Sequence, residues 1–260
     1  MKAPVVIIGI GELASVFAHG LLRLGHPVYP ITRHMDITQE AAAIPLPERV
    51  VIMVPEDQLD PVLTTLPEVW RDRVGLLQNE LLPRDWQRHG LVNPTITVIW
   101  LEKKKDRPVT RILYNSSYGP GAQLMTDALT ELNIPAKVLT DENELLYELV
   151  RKALYILTVN IAGLKNNCTV GELWRHHPDL AESLAREVLQ IQTWLVGQPL
   201  PEQRLIAGMV EGIEDCPDRF CLGRRANARL ERCLRHADQA GLAVPVMREL
   251  AQDSGKPVCE

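Results

Sequence analysis

The chain has 260 residues, 46% of them apolar and 23% charged, a balance suited to a globular protein with a real core in one large or two medium domains. Lys and Arg number 28 against 33 Asp and Glu, and the net charge of −5 argues against general nucleic-acid binding or attraction to an anionic membrane. The longest apolar runs fall far short of the roughly 20 residues that cross a bilayer. The opening MKAPVVIIGIGE reads better as a core strand entering a glycine turn than as a signal peptide.

Residues 4–33 predict a strand (Val5–Ile8), a turn at Gly9 and Gly11, a helix over about 12–24, a turn at Gly25 and His26, and a second strand over 28–32. This is a βαβ unit opening with G-x-G-x-x-A, the layout of a dinucleotide site. Gly9 permits the tight turn, Gly11 lets backbone approach a pyrophosphate, and Ala14 lets helix and strand pack closely. The helix start, including the backbone of Glu12 and Leu13, offers unsatisfied N–H groups and partial positive charge to phosphates. NAD sites usually carry Asp or Glu at the end of the second strand. Here Thr32-Arg33-His34 stands there, and a guanidinium suits a 2′-phosphate. The expected cofactor is therefore NADPH/NADP; the alternative for Arg33 is a solvated strand-end residue.

Residues 36–47 read as a short alanine-bearing link. RVVIMVP (49–55) is a strand covered on both faces, 56–66 a helix despite Pro61, and 74–78 another buried strand ending in Gln78-Asn79. Segments 95–105 and 109–121 alternate more. With the turn signal Asp106-Arg107-Pro108 between them they predict an antiparallel extension, Lys103–Lys105 forming a solvated tip. A helix over 121–132 and a strand over 136–139 follow.

After Asp141 the strand patterns vanish. Helices are expected over 142–165, 180–195, 201–210, 224–240 and 246–251. The fold class is α/β: a Rossmann-type sheet domain over 1–140, followed by an all-helical domain over 141–260 for substrate binding and dimerisation. The active site is expected between them. The five cysteines, 168, 216, 221, 233 and 259, include no C-x-x-C pair and fit free thiols in a reducing cytoplasm, with a Cys216–Cys221 link as a minor alternative. His176-His177 sits in a helix-start context and finds no further ligands, so no metal site is expected.

The helix over 142–165 carries the second informative cluster. Lys152 lies in an apolar surround, and Asn160 follows two turns later, about 80° round the helix. An ammonium beside a carbonyl oxygen polarises it and donates a proton as hydride arrives. The plainer alternative is a Glu148–Lys152 surface pair worth a few tenths of a kcal/mol.

The glycine turn, Arg33, Gln78-Asn79 and the lysine-bearing helix occur in an order that resembles the ketopantoate reductase family, a branch of the 6-phosphogluconate-dehydrogenase-like reductases. The resemblance extends to the terminal GLAVPV. It implies that Gly9, Gly11 and Ala14 form the phosphate turn, that Arg33 meets the 2′-phosphate, and that Gln78-Asn79 lies near the nicotinamide ribose. It further implies that Lys152 is the acid to the keto oxygen and that Asn160 is the second asparagine of that helix. Departures are also plain. The family asparagine four residues after the lysine is Ile156, the family QNG is Gln78-Asn79-Glu80, and the lysine usual after the fourth strand is Pro55. The family serine finds no counterpart in GIEDCPDRFCLG, and an acidic helix start becomes Arg224-Arg225-Ala226-Asn227. Arg225 is therefore a candidate for a substrate carboxylate or for an internal acidic partner.

The expected function is an NADPH-dependent reductase of a small 2-oxo acid or related carbonyl compound. Lys152 and Asn160 form the catalytic pair, and Asn160 and Arg225 bind substrate. The alternative is a non-catalytic NADP(H)-binding sensor or partner protein, and a third option is an imine reductase. The expected partner is a small-molecule substrate, with no nucleic acid and no membrane, and a homodimer is a plausible assembly.

Overall fold

Apolar strands buried on both faces organise the first half of the chain. The computed structural model describes residues 2–103, 105–106 and 108–254; Lys104 and Arg107 of the expected hairpin and Cys259 lie outside the described residues. The chain divides into two compact units, Met1–Leu149 and Val150–Glu260.

The first unit holds a seven-stranded sheet of β1 (Val5–Ile8), β2 (Val28–Ile31), β3 (Arg49–Ile52), β4 (Val74–Leu76), β5 (Thr95–Val98), β8 (Asn115–Tyr118) and β9 (Ala136–Val138). Their order is β2-β1-β3-β4-β5-β8-β9. The first five run parallel, β8 is antiparallel to β5, and β9 is parallel to β8. Val5 and Ile7 of β1 and Val51 of β3 face α1 (Glu12–Arg23) and α5 (Ala122–Thr130), forming one core with Phe17, Leu21, Met125 and Leu129. Burial of each such side chain contributes about 1.5–3 kcal/mol. Val6, Ile8, Val50 and Ile52 alternate to the opposite face and are equally buried. The two helices meet closely at Gly20, where a Cβ would lie 1.9 Å from the Ala128 carbonyl oxygen.

Four short elements escape the sequence reading. The expected link over 36–47 contains α2 (Ile37–Ala43), started by Asp36, whose Oδ1 accepts from the N–H groups of Thr38 and Gln39 at 2.8 and 3.3 Å. A 3₁₀ turn (Glu68–Arg73), α4 (Pro83–Gln87) and α7 (Val170–His176) are likewise present. The expected helix over 56–66 is α3 (Glu56–Thr64), with Pro61 inside it. The antiparallel extension is split: β5 pairs with β8, while β6 (Leu101–Glu102) and β7 (Thr110–Arg111) form a separate ribbon. The cause is Asn115, whose Oδ1 accepts the Trp100 N–H at 2.8 Å and replaces a ladder bond with a side-chain bond.

The long helix α6 spans Glu142–Ala162. Its first two turns bond to the first unit, through Tyr118 Oη donating to Glu142 Oε1 at 3.3 Å and Lys137 Nζ lying 3.9 Å from Glu148 Oε1. The division between units accordingly falls inside this helix rather than ahead of it.

The second unit is helical. Residues 150–163 of α6 and its C-terminal turn are buried all round, the signature of a central helix. The unit's other helices are α7, α8 (Pro178–Val196), α9 (Glu202–Asp215), α10 (Ala226–Ala240) and α11 (Pro245–Ser254); Arg151 of α6 donates to the Gly208 carbonyl of α9 at 2.8 Å, and Asn160 accepts from Arg229 of α10 at 2.7 Å. His176 closes α7 and His177 precedes α8, so the histidine pair straddles two helices instead of opening one. Helix α8 carries the buried Glu187, whose carboxylate accepts the N–H groups of Val246 and Met247 at 2.8 and 2.9 Å and so caps α11. No helix among the described residues is long and apolar enough to cross a membrane.

Candidate functional site

In an open parallel sheet, ligands bind outside the carboxyl ends of the strands, where the strand order reverses. In the first unit that point lies between β1 and β3, and Gly9 sits there. Its N–H donates to the Ile31 carbonyl at 3.0 Å, and Met53 N–H donates to the Ile8 carbonyl at 2.7 Å. Gly9 has φ +95°, and a Cβ there would stand 3.0 Å from the Met53 carbonyl oxygen. Its role is structural: only glycine makes this turn without strain.

Gly11 differs. Its backbone is extended (φ −91°, ψ −175°), which any residue adopts, and a Cβ would find nothing within 4 Å. It is the N-cap of α1, and no side chain caps that helix start. The first-turn N–H groups of Glu12, Leu13 and Ala14 therefore border an open cradle that a Cβ would fill, and Ala14 is buried against the sheet. That donor set and that space fit a dinucleotide pyrophosphate. The Glu12 carboxylate lies 4.0 Å from Lys103 Nζ.

Gln78 and Asn79 follow β4. Gln78 Nε2 donates to the carbonyls of Ile52 and Val54 at 2.7 and 3.2 Å, and its Oε1 accepts the Leu77 N–H at 3.1 Å. Gln78 thus clamps the ends of β3 and β4 together. Asn79 Nδ2 donates to Glu56 Oε1 at 3.0 Å, at the start of α3. Glu80 has φ +60°, the left-handed region in which glycine is favoured. Arg33 is exposed two residues beyond β2, on the same edge of the sheet. Gly9, Gly11, Glu12, Leu13, Ala14, Arg33, Gln78 and Asn79 therefore gather along one strand edge. Glu56 belongs to this group and escaped the sequence reading, because its partner lies 23 residues away.

The remaining site residues belong to the second unit. Lys152 is 6% exposed, and Glu148, one turn earlier, is equally buried and also has Lys137 3.9 Å away. Ile156, one turn on, is buried as well. Asn160 is 1% exposed and uses both ends of its amide: Nδ2 donates to the Cys221 carbonyl at 3.0 Å, and Oδ1 accepts from Arg229 Nη1 at 2.7 Å. A Cβ on Gly223 would lie 2.3 Å from Asn160 Oδ1, so glycine lets this segment close over the amide. Arg225 precedes α10 and is half-buried. The arginine that reaches Asn160 is Arg229, one turn further and 7% exposed. Arg219 lies 5.7 Å from the Tyr155 ring centre and donates to its hydroxyl at 3.3 Å. Burial pushes the Tyr155 hydroxyl above its ordinary pKa, and the guanidinium opposes the shift. Among the described residues, no group of three or more His, Cys, Asp or Glu could hold a metal ion.

The sheet, its glycine turn and the helical second unit define a Rossmann-type α/β protein with a helical companion. Solved structures of this two-part fold are similar along the whole chain. A PanE/ApbA family ketopantoate reductase from Ralstonia eutropha JMP134 superposes with TM-score 0.68 at 16% identity, over 98% of this chain and 97% of that one. The dimeric ketopantoate reductase from Staphylococcus aureus gives 0.64 at 18%, over 97% and 100%. A D-mandelate dehydrogenase in complex with NADH gives 0.66 at 17%, over 97% of each chain. The resemblance to ketopantoate reductases thus holds for the fold, at low identity. No family model matches the chain, and no curated protein matches it in sequence.

Proposed function

We propose that the protein is an NADPH-dependent reductase of a small 2-oxo acid or related carbonyl compound. The observation that carries this reading is the glycine turn: an uncapped helix start facing open space at Gly11, on the strand edge where Gln78, Asn79 and Arg33 also stand. Gly9 through Ala14 would hold the pyrophosphate, and Arg33 the 2′-phosphate. Asn79, oriented by Glu56, would hold the nicotinamide ribose. Bound NADPH supplies hydride to the carbonyl carbon. Lys152 stabilises the oxygen that gains charge and gives it a proton, then recovers one from water. Asn160 positions Arg229, which joins Arg225 in pairing with the substrate carboxylate. Full-length similarity to a mandelate dehydrogenase described with NADH and to ketopantoate reductases supports a nicotinamide cofactor and a 2-oxo acid class. A cytoplasmic homodimer is the proposed state, and one of the similar enzymes is described as dimeric.

A second reading rests on Ile156 and Asn160. An apolar side chain stands one turn after the lysine, and the asparagine amide is committed within the protein. Both suit a protein that binds NADP(H) as a sensor or partner without turning it over. Following NADPH absorbance with a panel of 2-oxo acids, aldehydes and imines, beside a separate NADPH titration, separates the two. Turnover of a 2-oxo acid supports the reductase. Tight binding without turnover of any compound replaces it with the sensor, and turnover of imines alone moves the reaction to C=N reduction.

A further inference from the structure

Five cysteines scattered over 92 residues give no pairing in the sequence, yet the fold sets two of them face to face. The loop after α6 and the segment after α9 form one short antiparallel bridge, with Thr169 opposite Phe220. Val170 N–H donates to the Arg219 carbonyl at 2.8 Å, and Cys221 N–H donates to the Cys168 carbonyl at 3.0 Å. Cys168 and Cys221 are therefore directly opposed, one position along from the Thr169–Phe220 pair. Opposed residues in antiparallel strands have Cα atoms about 4.5–5.5 Å apart, within the roughly 4.4–6.8 Å that a disulfide spans.

We propose that Cys168 and Cys221 are a peroxide-responsive dithiol that closes into an intramolecular disulfide. Their surroundings divide the work. Cys221 is fully buried, whereas Cys168 is half-buried and reachable from solvent. Burial, and then the neighbouring Cys168 thiol, push Cys221 up to about 12, with Arg219 opposing, so it stays protonated at the start. Cys168 as thiolate attacks one oxygen of hydrogen peroxide; the O–O bond breaks, an S–O bond forms, and hydroxide leaves and takes up a proton as water. The Cys221 sulfur then attacks the Cys168 sulfenic sulfur. The S–S bond forms as the S–O bond breaks, and the Cys221 proton leaves with the hydroxyl as a second water. Two thiols lose two electrons and one peroxide gains them. Cys216 is not in the bridge: it ends α9, and its carbonyl accepts the Arg219 N–H at 3.3 Å in the turn that leads there. A thiolate metal site is not the alternative, since among the described residues no group of three ligating side chains forms.

The bond would act on the segment that closes over Asn160. The Cys221 carbonyl holds Asn160 Nδ2, and the next residue lies so close to α6 that a Cβ on Gly163 would meet Leu222 N at 2.6 Å. A disulfide pins this segment to the end of α6. This inference does not depend on the reductase reading.

The test treats the reduced full-length protein with hydrogen peroxide, blocks remaining thiols and maps peptides by mass spectrometry. The expected result is a wild-type chain two hydrogens lighter, two fewer thiols than the starting five, and a Cys168–Cys221 cross-linked peptide that dithiothreitol abolishes. Cys216→Ser keeps the cross-link. Cys168→Ser, a mild change at a half-buried site whose folding is checked by circular dichroism, loses it. Peroxide that leaves both thiols open to alkylation, drives Cys168 to sulfinic acid without a cross-link, or joins Cys216 to Cys221 overturns the proposal. The mapping on wild type decides even if Cys221→Ser does not fold.

Discussion

The two glycines of the turn separate folding from binding, and replacing each with alanine tests that separation. At Gly9 the backbone is left-handed at φ +95° and a Cβ would stand 3.0 Å from the Met53 carbonyl oxygen. The conformation alone costs an L-residue about 1–2 kcal/mol, and the tight contact adds to it, so Gly9→Ala is expected to lose about 2–3 kcal/mol of stability. At Gly11 the backbone is extended and the Cβ meets nothing within 4 Å. Losing glycine at an N-cap costs about 0.5–1 kcal/mol, and stiffening the unfolded chain returns about 0.4–1 kcal/mol. The net change is near zero. The same Cβ, however, fills the cradle in front of the α1 N–H groups. An NADPH dissociation constant raised at least about tenfold, or 1.4 kcal/mol, is expected. Urea unfolding without cofactor and an NADPH fluorescence titration read the two effects independently. Wild-type NADPH affinity in Gly11→Ala, or equal destabilisation by both substitutions, would refute the assignment of this turn.

Arg33→Ser removes the proposed partner of the 2′-phosphate and should lower the preference for NADPH over NADH by about tenfold; equal loss of both affinities would point to a general fold effect instead. Glu80→Gly relieves φ +60° at a non-glycine residue and should raise the urea-derived stability by about 1 kcal/mol. Glu172 closes the capping box of α7, accepting the Thr169 N–H at 2.8 Å while its own N–H donates to Thr169 Oγ1 at 3.2 Å. The backbone hydrogen bond first, and then the hydroxyl, hold its carboxyl below the ordinary value. A lowered folded-state pKa stabilises above the unfolded value, and the gain disappears as pH falls through the folded one. The stability difference between wild type and Glu172→Gln should therefore shrink as the medium is acidified through that range; a difference constant with pH would show that the carboxylate charge is not involved.

The parts of the fold that announce themselves in sequence are those where a local signal and the tertiary environment agree. VVII and RVVI are buried on both faces and read as such, and Gly9 carries the turn that its spacing implies. The elements that escaped are short, and their signals are single residues: Asp36 alone starts α2, and the capping box of α7 begins within a loop. The ribbon over 95–121 divides because one buried amide, Asn115, takes a ladder bond, which no periodicity records. Within the candidate site, strand-end residues were legible since each follows an apolar run. Glu56, Arg229 and the Cys168–Cys221 opposition were not, because their partners lie 23, 69 and 53 residues away in the chain. That Lys152 is buried, at 6% exposure, comes from its surroundings in the fold and not from its spacing to Glu148.

The reductase reading places proton donation on one buried ammonium, so turnover by Lys152→Ala is the most direct measurement. NADPH oxidation is followed on whichever 2-oxo acid wild type reduces, with NADPH affinity measured in parallel. The expected result is a kcat lower by about 10²–10⁴, the usual contribution of a positioned general acid, with the NADPH dissociation constant nearly unchanged. Full turnover in Lys152→Ala would contradict the assignment, and a wild-type protein that binds NADPH but reduces no 2-oxo acid would contradict the function itself.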